Sequence, residues 1–192
     1  MTFRGATSER DSGDAQPTLV FDIGGGSTEI VIGTGTAVAF HASTQAGVVR
    51  QTERHLHHDP PHEAEQAELS ADVRQTLADA VPEERRDDVA QGIAVAGTAT
   101  SLAAIAQELE PYDPERVHRY LLEADECQRI VARLAGLPLA QRRKVAGLHP
   151  DRAPTIVAGG LIFGEVMSMF GLAQIEISEH DILRGAALGL AA

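Results

Sequence analysis

The feature that most constrains this chain is VFDIGGGSTEIVIG, residues 20–33. An apolar, β-prone run leads into three consecutive glycines and an alternating run leads out, the pattern of two antiparallel strands joined by a tight turn. Gly33-Thr34-Gly35 marks a second turn, and TAVAFHAS, residues 36–43, a third strand. Three glycines exceed what a hairpin requires. Without Cβ atoms, the N–H groups of Gly24, Gly25 and Gly26 can surround an anion closely. Ser27 and Thr28 add hydroxyl donors at the edge of the loop. No lysine follows the glycines, so this is not a Walker loop, and the spacing is not G-x-G-x-x-G either. If Gly25-Gly26 form the centre of a type I′ turn, Asp22 and Glu29 oppose each other across the strands. Like charges so placed repel, and a divalent cation reverses the sign; two carboxylates beside a phosphate cradle suit Mg²⁺. On spacing alone the alternative stays open: an aspartate that ties down the turn and a glutamate that faces water.

Beyond the meander, residues 48–81 read as helical and acidic, broken at Asp59-Pro60-Pro61, with Glu63–Ala80 as the second helix. GIAVA, residues 92–96, is a buried-type strand, and Gly97-Thr98 opens a helix that runs to Leu109. Helices are expected at residues 124–135, 139–145, 155–170 and 182–190, with a short strand at 173–177. A meander followed by alternating helices and strands predicts an α/β fold with a mixed sheet. Residues 1–17 read as a linker or the remnant of a preceding lobe, and residues 18–192 as one domain.

Several residues in this second part could carry chemistry. The N–H groups and helix dipole at Gly97 and Thr98 favour an anion, unless the glycine serves only a tight βα turn. Arg50 either meets that anion or pairs with Glu53 at i,i+3. His55, His57, His58 and His62 cluster around Asp59, but their spacing matches no standard zinc pattern, and an exposed helix end is the favoured reading. His149 and Arg152, near Pro150, could reach the cleft, with a surface loop the favoured reading. Cys127 lies on a helical pattern with Ile130 and Val131, which makes an inert, partly buried thiol the expectation.

Composition narrows the function classes. A chain of 192 residues with 28 acidic and 16 basic side chains carries a formal charge of −12, the wrong sign for a general nucleic-acid binder. Aromatics are 4% and Trp is absent, so platforms for stacking single strands are not expected. Eleven of the acidic residues fall between Glu53 and Asp88. The acidity is therefore local, and a polyanion elsewhere on the chain is not excluded. One cysteine rules out an intrachain disulfide and fits a reducing compartment. No run approaches the roughly 20 apolar residues of a membrane span, and residues 1–17 show no signal pattern. The expectation is a cytoplasmic chain.

FDIGGGSTE with its glycine-linked meander resembles the second phosphate motif of the exopolyphosphatase and guanosine-pentaphosphate phosphatase family (Ppx/GppA), of the actin-like, ribonuclease H-like ATPase superfamily. VVRQTERHL (48–56), IAVAGTATSLAAI (93–105), RAPTIVAGGLIFGEVM (152–167) and SEHDILRGAALG (178–189) resemble further segments of that family in the same order. The resemblance implies hydrolysis of a terminal phosphoanhydride bond in inorganic polyphosphate or guanosine pentaphosphate. It implies that Asp22 anchors Mg²⁺, that Glu29 orients the metal's water or the nucleophile, and that residues 24–28 cradle the phosphate. Gly97 and Thr98 would line the same cleft, and a homodimer is expected from the family's habit. Asp181 resembles a recurring acidic position of the closing segment, with capping of the last helix the favoured reading.

The departures from the family pattern are also informative. The D-x-G-S loop and the G-E-E-E-A type glutamate of the family's first lobe do not occur here, and residues 2–7 resemble the stretch that directly follows that glutamate. The expectation is a second lobe whose catalytic base lies in a first lobe, so that the chain alone binds phosphate weakly and turns over little. The competing readings are a lobe of an ATP-dependent kinase or chaperone ATPase, and a non-catalytic module that binds phosphate or an alarmone.

Overall fold

Strand β1 (Thr18–Ile23) pairs antiparallel with β2 (Thr28–Thr34), which pairs antiparallel with β3 (Ala37–Thr44). On its other side β1 runs parallel to β4 (Gln91–Val95), and β4 parallel to β6 (Gln174–Ser178). Strand β5 (Leu121–Glu123) closes that edge antiparallel to β6, giving the order β3-β2-β1-β4-β6-β5. A computed structural model describes residues 2–9 and 16–180 of the chain in this form. The expected meander and mixed α/β sheet are both present.

Alternation along the strands separates two faces. Leu19, Phe21, Ile23, Ile30, Ile32 and Ala94 point into the main core. There they meet α3 (Glu63–Ala80), α4 (Ala96–Ala106), α6 (Ala124–Ala135) and α8 (Ile156–Met169). Phe21 and Phe163 meet edge to face at 5.1 Å. Helix α8 approaches its neighbours closely because it carries Gly159 and Gly160 where Thr98 and Val131 press against it. Helix α2 (Val48–His55) belongs to the same layer, packing on α3 and α8. The opposite face carries Val20, Val31, Ile93 and Val95 in its middle and Asp22, Glu29, Ser43 and Ser178 toward one end.

The described residues before β1 include a short helix. Helix α1 (Thr2–Ala6) lays Phe3 and Ala6, both buried, on this second face. Gly33 has no side chain because the Phe3 ring occupies that space; a Cβ there would lie 2.7 Å from the ring. Two other elements were not expected: β5, and the single turn α5 (Pro114–Val117), capped by the Asp113 carboxylate. The helix expected over residues 139–145 is the single turn α7 (Leu139–Arg142). Asp181 and the last expected helix lie outside the described residues. Cys127 is buried, and burial pushes its thiol up to about 12, an inert group as expected. No helix among the described residues is long and apolar enough to cross a membrane.

Candidate phosphate-binding site

The register Asp22↔Glu29 and Ile23↔Thr28 leaves Gly24–Ser27 as the loop, closed by Gly24 N–H donating to the Ser27 carbonyl at 2.9 Å. The two carboxylates are opposed as the spacing required, but the turn is not type I′. That type needs positive φ at both central residues, and neither Gly25 nor Gly26 adopts it. The cause lies in α2. Its first amides donate to the loop, Val48 N–H to the Gly24 carbonyl and Val49 N–H to the Gly25 carbonyl, both at 2.9 Å. Arg50 Nε donates to the Gly26 carbonyl at 3.2 Å. Three successive carbonyls therefore face α2. Because a trans peptide is planar, with N–H opposed to C=O, the amides of Gly25, Gly26 and Ser27 point the other way. None of the three donates to another backbone group of the described residues.

The glycines of this loop are not explained by packing within the protein. A Cβ on Gly26 would meet nothing within 4 Å, and one on Gly24 or Gly25 only ordinary contacts at 3.4 and 3.5 Å. The loop thus presents three amides with no backbone partner among the described residues, the donor set that an anion cradle would need. Its foundation is Gly47, a residue the sequence reading passed over. A Cβ on Gly47 would lie 2.2 Å from the Gly26 carbonyl carbon.

The two hydroxyls assigned to the cradle serve elsewhere. Thr28 is fully buried and donates to the Ala46 carbonyl. Ser27 Oγ donates to Glu29 Oε1 at 3.2 Å, so Ser27 contributes its amide to the cradle and its hydroxyl to the glutamate. Glu29 also accepts from Ser43 Oγ at 2.6 Å and stands 3.3 Å from His41 Nε2. Asp22 and Glu29 together offer hard oxygen donors on one sheet face beside the cradle, a donor set that fits Mg²⁺.

A second set of amides lies at the start of α4. Val95 is its N-cap with no side-chain cap, which leaves the first N–H groups without an intrahelical partner. The Thr98 hydroxyl does not face an anion; it is buried and donates to the Ile23 carbonyl at 3.1 Å. This bond pins the helix start to the strand end that opens the glycine loop. The left-handed residue at the junction is Ala96, with φ 63°, rather than Gly97. A Cβ on Gly97 would lie 2.0 Å from the guanidinium nitrogens of Arg152, the far end of a side chain that rests on this turn. Arg152 is exposed, and its guanidinium lies against the start of α4. It borders a cavity of about 700 Å³ also lined by Thr100, Ser101, Tyr112, Arg143 and Lys144. The buried Arg142 anchors the segment that carries these cations by donating to the carbonyls of Leu134, Leu137 and Ala153. On the far wall, the Tyr112 hydroxyl donates to Glu179. Burial, then this carboxylate, push the phenol well above its ordinary range.

Neither reading of Arg50 is the contact observed: its Nε donates to the Gly26 carbonyl, and it forms no ion pair with Glu53 among the described residues. The histidine cluster forms a helix start. Glu65 accepts from the amides of His57 and His62 and lies 2.9 Å from His58 Nδ1. The His58 and His62 rings stack at 3.8 Å, 17° from parallel, so their in-plane lone pairs run side by side rather than converging on a cation. The His58 contact, opposed by burial and aided by the His62 and His57 amides, holds the Glu65 carboxyl at about 2 against an ordinary 4.5. A depressed carboxyl stabilises the fold above its unfolded pKa and loses that contribution as pH falls through its folded one. Glu65→Gln is therefore expected to flatten the acid limb of thermal stability between pH 4.5 and about 2. Melting curves across that range check it. A second group joins Glu9, His118 and His180. His118 Nδ1 accepts from the Glu179 amide at 3.3 Å, which leaves Nε2 as the proton-bearing nitrogen facing Glu9.

The sheet order and the glycine loop between opposed carboxylates mark a mixed α/β domain, and comparison with known proteins gives its family. Residues 1–190 match the model of the Ppx/GppA phosphatase family. The chain is 38% identical over 195 aligned positions to exopolyphosphatase 2 of Mycobacterium tuberculosis, covering all of this chain and 60% of that protein. It is 31% identical over 191 positions to the bifunctional 3-dehydroquinate synthase/phosphatase of Fusobacterium nucleatum, covering 98% of this chain and 28% of the other. Among solved structures, the PPX-GPPA enzyme of Aquifex aeolicus superposes with a TM-score of 0.86 at 28% identity, over 97% of this chain and 60% of that one. The chain belongs to the Ppx/GppA phosphatase family and has the actin-like ATPase fold of its structural neighbours. It spans about three-fifths of the length of the exopolyphosphatase 2 it matches.

Proposed function

We propose that this chain is the phosphate-binding lobe of a Mg²⁺-dependent phosphohydrolase that removes the terminal phosphate of inorganic polyphosphate. The observation that carries the reading is the trio of amides at Gly25, Gly26 and Ser27, turned away from α2, beside the opposed Asp22 and Glu29. The names of two similar relatives, exopolyphosphatases 2 and 1 of Mycobacterium tuberculosis, favour polyphosphate over guanosine pentaphosphate as the substrate.

The residues divide the work as follows. The three loop amides and the uncapped start of α4 bind the oxygens of the terminal phosphoryl group and neutralise charge that spreads onto them in the transition state. Asp22 and Glu29 would hold Mg²⁺, which supplies further charge neutralisation when bound. Arg152, seated on Gly97, leads from the cradle into the cationic cavity and takes the next phosphates of the substrate. Water attacks phosphorus in line with the bridging oxygen, and its proton passes to a base on the first lobe of the family's two-lobed core. The cleft relies on backbone dipoles, which explains how an acidic chain handles a polyanion.

The test measures phosphate release from polyphosphate with Mg²⁺ by this chain alone and by the chain joined to a first lobe of the family. Release from the joined protein only is expected. Phosphorylation of a sugar without phosphate release would sink the reading, and preferential release from guanosine pentaphosphate would replace its substrate. In the joined protein, Arg152→Ala is expected to raise KM for long-chain polyphosphate about tenfold, the worth of one exposed charge-assisted contact. Steady-state kinetics should show kcat changing by less than about twofold, since the contact exists in ground and transition states alike.

A further inference from the structure

The edge strand β3 contributes side chains to this site that the glycine motif does not contain. We propose that Ser43 and His41 are positioning residues that hold the Glu29 carboxylate with Oε2 turned to the cation. This rests on the reading of Asp22 and Glu29 as the cation's ligands. A carboxylate oxygen has two lone-pair positions. Those of Oε1 are both taken, by Ser43 Oγ at 2.6 Å and Ser27 Oγ at 3.2 Å. Oε2 has one neighbour, His41 Nε2 at 3.3 Å, and its other position carries no protein donor among the described residues. Glu29 is therefore built to offer a single oxygen.

The contacts have no evident part in holding the sheet together. The register of β2 and β3 is fixed on the buried side, where Thr44 Oγ1 donates to the Thr28 carbonyl at 3.1 Å and Thr28 Oγ1 to the Ala46 carbonyl. Ser43 and His41 are exposed, where side chains contribute little to stability. What they constrain is a three-bond side chain that is itself 36% exposed and would otherwise sample several rotamers. Partners that orient a ligand typically change metal affinity by about 10- to 100-fold.

The experiment titrates Mn²⁺, as a paramagnetic stand-in for Mg²⁺, into the chain and reads binding by electron paramagnetic resonance, with a melting curve for every variant. Ser43→Ala is expected to weaken Mn²⁺ binding about tenfold with an unchanged melting temperature. Ser43→Thr, which keeps the hydroxyl, should restore it. His41→Ala should weaken binding more than His41→Gln, whose amide still donates. In the joined protein Ser43→Ala should lower kcat and leave KM for polyphosphate unchanged. Binding that is lost in Glu29→Gln yet intact in Ser43→Ala and His41→Ala overturns the positioning role and leaves the cation reading standing. Binding indifferent to Glu29→Gln overturns both.

Discussion

Gly47→Ala is expected to abolish measurable phosphate binding, the largest loss for the smallest addition in this protein. The new Cβ would lie 2.2 Å from the Gly26 carbonyl carbon, 2.4 Å from the Ser27 nitrogen and 2.5 Å from the Gly25 oxygen. All three are backbone atoms, which cannot rotate away as a side chain does. The backbone at Gly47, φ −110° and ψ 152°, is open to any residue, so the effect is steric and not conformational. Relief requires the loop to lift off α2, which breaks the bonds from Val48 and Val49 that aim the amides of Gly25, Gly26 and Ser27. Overpacking of this kind costs about 1–3 kcal/mol of stability. The loss of affinity should exceed about a hundredfold, since each misaimed charge-assisted hydrogen bond forfeits about 1.5 kcal/mol or more. Gly26→Ala is the companion variant, because its Cβ meets no protein atom within 4 Å. It should fold with wild-type stability and still bind phosphate poorly, its methyl group standing in the cradle. Calorimetric titration with inorganic phosphate and tripolyphosphate, beside melting curves, separates the two. A Gly26→Ala chain that binds like wild type would show that the loop is not the anion site.

The contrast between these two glycines explains what was legible in the sequence. The triple glycine is a local pattern, and the alternation on either side sets the register that opposes Asp22 to Glu29. Local chemistry did not reveal the turn type, because the loop's φ values follow from helix α2 capturing its carbonyls, a contact made through Gly47. Gly97 was readable as a phosphate or turn residue. Its actual neighbour, the Arg152 guanidinium, comes from a segment far downstream that carries no periodic signal. Ser43 and His41 escaped for a related reason. A bulge between Ile32 and Gly33 shifts the pairing of β2 with β3, so their place beside Glu29 does not follow from counting residues. Phe3 was hidden in a stretch with too few apolar residues to show a period, yet it fills the space left by Gly33. Sequence pattern located the strands and the acidic pair. It did not locate groups whose roles exist only between distant segments.

Asp22→Asn is expected to remove most of the protein's response to Mg²⁺ while leaving the fold intact. Asparagine is nearly isosteric, and the position is half-buried at a strand end, so packing changes little. The charge does change. A unit charge about 4 Å from another at an effective dielectric near 20 is worth about 4 kcal/mol. If solvent screens half of that, the loss for a cation is still about 2 kcal/mol, or about thirtyfold in affinity. Linkage converts this into a melting experiment. At a Mg²⁺ concentration about 100 times its dissociation constant, the wild-type chain gains about 2.7 kcal/mol of stability. A variant bound thirtyfold more weakly gains about 0.9 kcal/mol at the same concentration. The variant should therefore melt like the wild type in chelator and fall behind it as Mg²⁺ is raised. In the joined protein its phosphate release should drop by up to about thirtyfold at Mg²⁺ well below the wild-type dissociation constant and recover at higher Mg²⁺, because the lost affinity is met by concentration. A structural role for Asp22, such as tying down the glycine turn, predicts the opposite pattern: a lower melting temperature already in chelator and no recovery at any Mg²⁺ concentration. The chelator baseline thus decides between the two readings that the spacing of Asp22 and Glu29 left open.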